Sequence, residues 1–341
     1  MTIEERLSLL EQQIAAQVPT PTEYYTSRWS GEEIDNRIAS LSNRNLLYNA
    51  YFKGGGSQQG GGQFPINQRG QASYDTGRIP GYGIDGWWSI FCNFDVTTGQ
   101  LSQSTSQTYS GAMRNPLENP SALAGKTVTC SILAAQVSGA PTMNLTKSTG
   151  INSGMVSIQS ATLVNGLNTF TVTVPDDVGG STYPMLFLGL SVPVDSSVRP
   201  IAAKLELGPT QTLAYQDEDG NWQLFETPDY GEELAKCQRY YLPIDNRGRF
   251  PAVFSSPSTT LQVFVPTPVT MRVNPTVQGI TSISARVYSG AANSQSLSVS
   301  QTLLTEAGVL ITFSATWSST LNPHSCAIAV LREDGALSAE L

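Results

Sequence analysis

Adjacent carboxylates are the first place to look for chemistry in this chain: Asp176-Asp177 and Glu232-Glu233. Glycoside hydrolysis needs two carboxylates facing one sugar across about 5–9 Å. Residues adjacent in sequence do not supply that geometry. Asp176-Asp177 is read instead as part of a loop, and Glu232 as the i,i+4 partner of Lys236 on a short helix. The single histidine, His324, sits in Asn322-Pro-His-Ser-Cys326, and no Gly-x-Ser-x-Gly elbow accompanies it. An exposed loop histidine fits better than a nucleophile's base. Asp217-Glu-Asp-Gly-Asn-Trp222 has half the look of a calcium loop but lacks the closing glutamate. It reads as a hairpin turning at Asp219-Gly220. The four cysteines, Cys92, Cys130, Cys237 and Cys326, are far apart and form no Cys-x-x-Cys. They read as buried thiols of a chain made in a reducing cytoplasm. No catalytic residue, metal site or cofactor is expected.

Binding is a different matter. Trp87 and Trp88 are adjacent, so on a strand they point to opposite faces. One fills a core, and the other is left as a platform on which the apolar face of a sugar can stack. Trp88 is the surface candidate, with Tyr82 and Arg78 completing the expected ligand-contact set. Burial of Trp88 against a neighbouring domain or subunit is the reading preferred to ligand contact.

These residues need a scaffold, and the composition suggests its type. Only 13% of the 341 residues are charged, while 40% are hydrophobic, with 13 Tyr, 11 Phe and 5 Trp. A surface made of Ser, Thr, Asn, Gln and Gly suits β-structure with many turns and not disorder. Net charge is −8, with no cluster of five or more Lys and Arg, so neither nucleic acid nor an anionic membrane is an expected partner. No run of 18 apolar residues predicts a membrane span, and the first 20 residues do not read as a signal peptide.

Four stretches follow in order. Residues 1–43 predict two short helices. Ile3, Leu7, Leu10 and Ile14 form one a/d seam, and Ile34, Ile38 and Leu41 form another. Pro19 and Pro21 end the first helix. Ser30 and Glu33 make a capping box for the second. Helices this short are marginal alone, so they predict a coiled-coil stalk that oligomerises or docks to a partner. A parallel trimer is the expected state, with dimer and tetramer also open. Residues 44–214 predict a β-sandwich, with strands at 87–94, 126–137, 154–163, 168–174, 184–192 and 201–207 separated by turn signals such as Asn165-Gly166. A glycine-rich loop at 54–62 lacks the Gly-Lys-Ser/Thr of a phosphate loop. It is either an adaptable contact loop or a plain connector. Residues 215–237 predict a hairpin and short helix. Residues 238–341 predict a second antiparallel sandwich with strands at 259–265, 285–287, 296–299, 309–317 and 326–331. Its low charge suits either a distal contact surface or packing between subunits.

Asn45-Leu-Leu-x-Asn49-x-x-Phe52, Ile66-Asn-Gln-Arg-Gly70, Tyr82-x-x-Asp85-x-Trp87 and Ala203-Lys-Leu-Glu-Leu-Gly208 together resemble the carbohydrate-binding-module-like jelly roll of phage and prophage tail-fibre proteins. Glu232-Glu-Leu-Ala-Lys-Cys-Gln-Arg-Tyr-Tyr241 and Met271-Arg-x-Asn-Pro-Thr276 are similar to segments that often follow it in those proteins. The resemblance covers about residues 45–277. It implies a virion protein made in a bacterial cytoplasm: an oligomeric, often trimeric, non-enzymatic appendage whose jelly roll serves host attachment. It implies a structural role for Asp85 and Trp87. The expected partners are other copies of the chain, another virion protein through the N-terminal segment, and a host-surface glycan. A head fibre or capsid decoration protein shares this design, and a glycan depolymerase is the enzymatic alternative.

Overall fold

The computed structural model describes residues 43–52, 64–105, 108–245, 248–255, 259–287, 290–317, 326–331 and 334–340, plus the single positions Arg6 and Ser30. The seam residues Ile3, Leu7, Leu10, Ile14, Ile34, Ile38 and Leu41 lie outside these, and with them the coiled-coil expectation. The glycine loop and His324 also lie outside. Asn43–Leu341 form one compact unit, separate from Met1–Ser42. Among the described residues no helix is long and apolar enough to cross a membrane.

The first half of the larger unit is a β-sandwich. Its strands are β1 (Ser73–Asp75), β2 (Gly81–Tyr82), β3 (Trp88–Ile90), β4 (Cys92–Asp95), β5 (Gln100–Gln103), β6 (Gly111–Pro116), β7 (Thr127–Ser138), β8 (Thr142–Ser148), β9 (Val156–Thr162), β10 (Gly166–Thr173), β11 (Met185–Val192) and β12 (Ser197–Leu207). They make two six-stranded antiparallel sheets, β1-β4-β5-β12-β7-β10 and β2-β3-β6-β11-β8-β9. The expected single strand at 87–94 is two strands, one in each sheet. Phe91, at φ 54°, turns the corner between them. Alternation then follows from the pleat: Leu186, Leu188 and Leu190 face inward with Met143, Leu145, Val128, Cys130 and Ile132, while the residues between them face out.

The outer face of the first sheet is covered by its own chain. Lys204 donates to the Thr212 hydroxyl (2.8 Å), and Thr212 N donates to Glu206 (2.8 Å). This fastens the segment carrying Leu213 and Ala214 over Leu133, Ala202 and Tyr51. Lys204 and Glu206 are buried but 3.7 Å apart and fully engaged, so neither charge is orphaned.

A hairpin follows, β13 (Ala214–Gln216) with β14 (Trp222–Leu224). Asp217 accepts from Asn221 N and Asp219 N, so the half calcium loop is a satisfied turn. The helix Tyr230–Gln238 is capped by Asp229, which accepts from Glu232 N (2.9 Å). Lys236 pairs with Glu233, not with Glu232 as the sequence suggested. Glu233 is drawn inward because it also accepts from Asn49 N (2.7 Å).

The second half differs from the expected sandwich. β16 (Arg249–Ser255), β17 (Thr260–Pro266), β19 (Ile283–Val287), β20 (Gly290–Thr305), β21 (Gly308–Trp317) and β22 (Cys326–Leu331) close into a barrel in the order β16-β17-β21-β20-β19-β22. β20 runs for 16 residues and shifts register twice against β21, near Ser296 and Gln301. Such bulges bend a strand and increase its twist. The interior is filled by Phe254, Leu261, Val263, Ile311, Phe313 and the small Ala285 and Ala329. β15 (Tyr241–Ile244), β23 (Gly335–Ser338) and β18 (Thr276–Gln278) form a separate three-stranded sheet beside it.

Candidate functional site

Asn45, Asn49, Asp85 and Trp87 hold the fold. The Asn45 amide bridges β12, donating to Ala203 O (3.0 Å) and accepting from Leu205 N (3.2 Å). Asn49, at φ 50°, donates to Ile66 O and Asp85 O (both 2.8 Å) and accepts from Ile66 N (2.7 Å). The indole of the fully buried Trp87 donates to Asn49 O (2.8 Å). Asp85 accepts from Gln68 N (2.7 Å), and Gln68 reaches on to Tyr241 O (2.8 Å). Gly86, at φ 79°, leaves the space that Tyr48 occupies; a Cβ there would lie 2.3 Å from that ring. Arg69 stacks on Tyr241 at 3.8 Å and pairs with Glu340. Burial raises the carboxyl pKa values of Asp85 and Glu340. Burial works against the Arg69 cation too, but Glu340 and Asp85 outweigh it and leave its pKa raised. This cluster joins the sandwich to the three-stranded sheet.

The outer face of the second sheet is different. Its registers align one row across all six strands: Tyr82, Trp88, Arg114, Gly189, Asn144 and Ser160. Residues directly opposite on paired strands share a face. The structure therefore brings together two of the three expected contact residues, Trp88 and Tyr82. Trp88 is not the exposed platform the alternation suggested. It is only 3% exposed, buried with Ile90 and Ala112 beneath Tyr82, Phe91 and Ile151. Trp87 is buried in the sandwich core, and Trp88 is buried on the other face, where Ile151 packs against it. Arg78 is elsewhere, 5.8 Å from the Tyr109 ring, near Phe91 and on the same turn as Ile79, which is 83% exposed.

What Trp88 does is support Arg114, whose guanidinium lies 5.1 Å from the ring. Arg114 makes no ion pair with any described residue, and its Nη1 is buried without a hydrogen-bond partner. Burial pushes its pKa down to about 10. Across Gly189 lies Asn144, which donates to Ser191 Oγ (3.1 Å) and accepts from the Thr146 hydroxyl (3.1 Å). A Cβ at Gly189 would meet Asn144 Oδ1 at 2.8 Å and Arg114 Cγ at 3.3 Å. The missing side chain lets the two approach over the strand. The site thus has an aromatic and cationic half and an amide and hydroxyl half.

No protein-family model matches the chain, and no curated protein matches it. Among solved structures the chain is similar to the N-terminal CBM22-1–CBM22-2 tandem domain of Paenibacillus barcinonensis Xyn10C. Identity is 11%, the match covers 87% of this chain and 98% of that one, and the TM-score is 0.26. Overlap at that level carries no argument, and the sandwich rests on its own strand pairing.

Sequence reasoning missed Arg114, Gly189, Asn144 and Ser191. The signal was weak: Gly111–Pro116 ends in proline and holds the polar pair Arg114-Asn115 after a short apolar run, so it does not stand out as a strand. Among the described residues no cluster of three or more His, Cys, Asp or Glu is arranged to hold a metal. A cavity of about 360 Å³ lies at the end of the sandwich, lined by Arg44, Leu46, Glu118, Lys236, Arg239 and Tyr240 among others. Two of those cations are already paired, Arg239 with Glu118 at 3.0 Å and Lys236 with Glu233. The Arg114 row is the better site, because its cation is half-buried with Nη1 unpaired, whereas Arg44 in the cavity is exposed.

Proposed function

We propose that this chain is a structural appendage of a phage particle, of tail-fibre type, which presents a glycan-binding sandwich toward the host surface. The observation that carries the reading is the outer row of the second sheet. Buried aromatic support, one guanidinium, an amide and several hydroxyls lie there side by side without an acidic residue. Sugars are recognised by such mixtures of apolar and hydrogen-bonding groups. Strands that alternate between two sheets favour the jelly-roll form, and several residues carrying the tail-fibre resemblance, Asn49, Gln68 and Arg69, are bonded into the joint after the sandwich. The function is binding and not catalysis: the buried carboxylates Asp85, Glu206, Glu233 and Glu340 are all engaged in structural bonds. Residues 1–43 oligomerise the chain as a trimer and attach it to another virion protein. Several weak sites on one particle then act together through avidity. A head fibre remains the second reading, because it needs the same parts.

Solution mass and cell binding test this. The full chain should sediment at about three times its 36.6 kDa mass, and removal of residues 1–43 should yield a monomer that keeps its β-sheet spectrum. Fluorescently labelled protein should coat cells of the phage's host and be displaced by their purified surface polysaccharide. A monomeric full chain would remove the stalk from this reading, and coating unaffected by polysaccharide would remove the glycan. Shortening of that polysaccharide by the purified protein would replace binding with depolymerisation.

A further inference from the structure

The outer face of the second sheet has a charge imbalance that an uncharged ligand does not use. Besides the Arg114 row, a second row runs Ile90, Ala112, Ser191, Thr142 and Thr162, and a third runs Pro116, Phe187 and Thr146. The three rows hold one cation and no anion, on a chain of net charge −8. A half-buried guanidinium without a bonded acceptor is costly, and Arg114 has no such acceptor among the described residues. Water does not reach Nη1.

We infer that Arg114 receives the carboxylate or sulfate of an acidic sugar, so that the sandwich selects anionic over neutral glycans. This rests on the glycan reading above and narrows it. Arg114 is only half-buried, so part of the side chain is open to a ligand from solvent. A small swing of the guanidinium across the Trp88 face would offer two N–H groups in the fork that suits a carboxylate. Asn144, across Gly189, and Ser191, two residues beyond Gly189 on the same strand, lie where the hydroxyls of the same ring would follow. The chain's overall negative charge repels acidic polymers at long range. Attraction therefore has to be local, and single-site affinity weak.

The test uses the full chain on an immobilised panel of bacterial capsular and O-antigen polysaccharides. Each acidic member is tested beside its carboxyl-reduced or desulfated form. Wild-type protein should be retained by acidic members and lose at least ten-fold in retention after reduction. Arg114→Gln should lose the same factor on acidic members, while Arg114→Lys recovers part of it. Equal retention before and after reduction would overturn the charge selection and leave the glycan reading standing. Retention by no member would overturn both. The carboxyl-reduction arm uses only wild-type protein, so misfolding of a variant does not obscure the outcome.

Discussion

Tyr48 and Tyr240 stack face to face, with ring centroids 4.7 Å apart and planes 8° from parallel. One stands at the start of the sandwich, the other between the helix and the three-stranded sheet. The Arg272 guanidinium lies 5.7 Å from the Tyr240 ring. Tyr240→Ala should remove about 3 kcal/mol of packing and make the sandwich and the barrel melt as separate transitions in calorimetry. Tyr240→Phe should keep a single transition, because it leaves the stacked ring in place. A single unchanged transition for Tyr240→Ala would mean that the stack does not couple the two halves.

Asn49 is expected to tolerate no replacement. Its side chain closes three bonds to backbone groups of Ile66 and Asp85, and its positive φ suits asparagine better than most residues. Asn49→Ala should cost about 3 kcal/mol in urea unfolding, since buried backbone partners would be left unpaired. Asn49→Asp should also destabilise, because an acceptor replaces the donor that Ile66 O and Asp85 O require. Wild-type stability in either variant would mean that these bonds are replaced at no cost.

Arg114 is expected to weaken the free protein. Its pKa is pushed down by burial to about 10. A cation whose folded-state pKa lies below its unfolded value destabilises the fold while both states are charged, and that penalty fades as pH rises through the folded value. Arg114→Met should therefore stabilise the unliganded protein by about 1 kcal/mol at neutral pH. The advantage should shrink above about pH 10. Denaturant midpoints at neutral and alkaline pH would show it. A less stable Arg114→Met at neutral pH would mean that the guanidinium gains more from Trp88 than it loses by burial.

Cys92, Cys130 and Cys237 are free and buried. Burial pushes the Cys92 thiol up to about 11 and raises Cys130 and Cys237 as well. A thiol held protonated is a poor nucleophile. Mass spectrometry after treatment with a maleimide at mildly alkaline pH should find all three unmodified in native protein and all three modified in denaturant. Rapid native labelling of any one would place it at an opening in the fold.

Much of the strand pattern was legible because pleated alternation is a local property. The runs at 126–137, 184–192 and 309–317 fall within a residue or two of β7, β11 and β21. The hairpin at Asp219-Gly220 was equally plain. Two things were not legible. Phe91 gives no sign that it turns the chain from one sheet to the other, since a positive φ at phenylalanine is imposed by its surroundings. Barrel closure depends on β22 pairing with both β16 and β19, and no short-range pattern encodes that long-range pairing. The candidate site shows the same division. Alternation pointed to Trp88 but missed the Ile151 loop above it. Arg114 became visible only when three strands set it against Trp88 and Gly189.

The Arg69–Glu340 pair also constrains how the protein is made. The two residues are 271 positions apart. At roughly 5–20 residues per second, a ribosome delivers Glu340 on the order of tens of seconds after Arg69. β23, which lies between β15 and β18, arrives in the same late stretch. For that interval the sandwich has to stand without its clamp, and its joining face is open to other nascent chains on the same message.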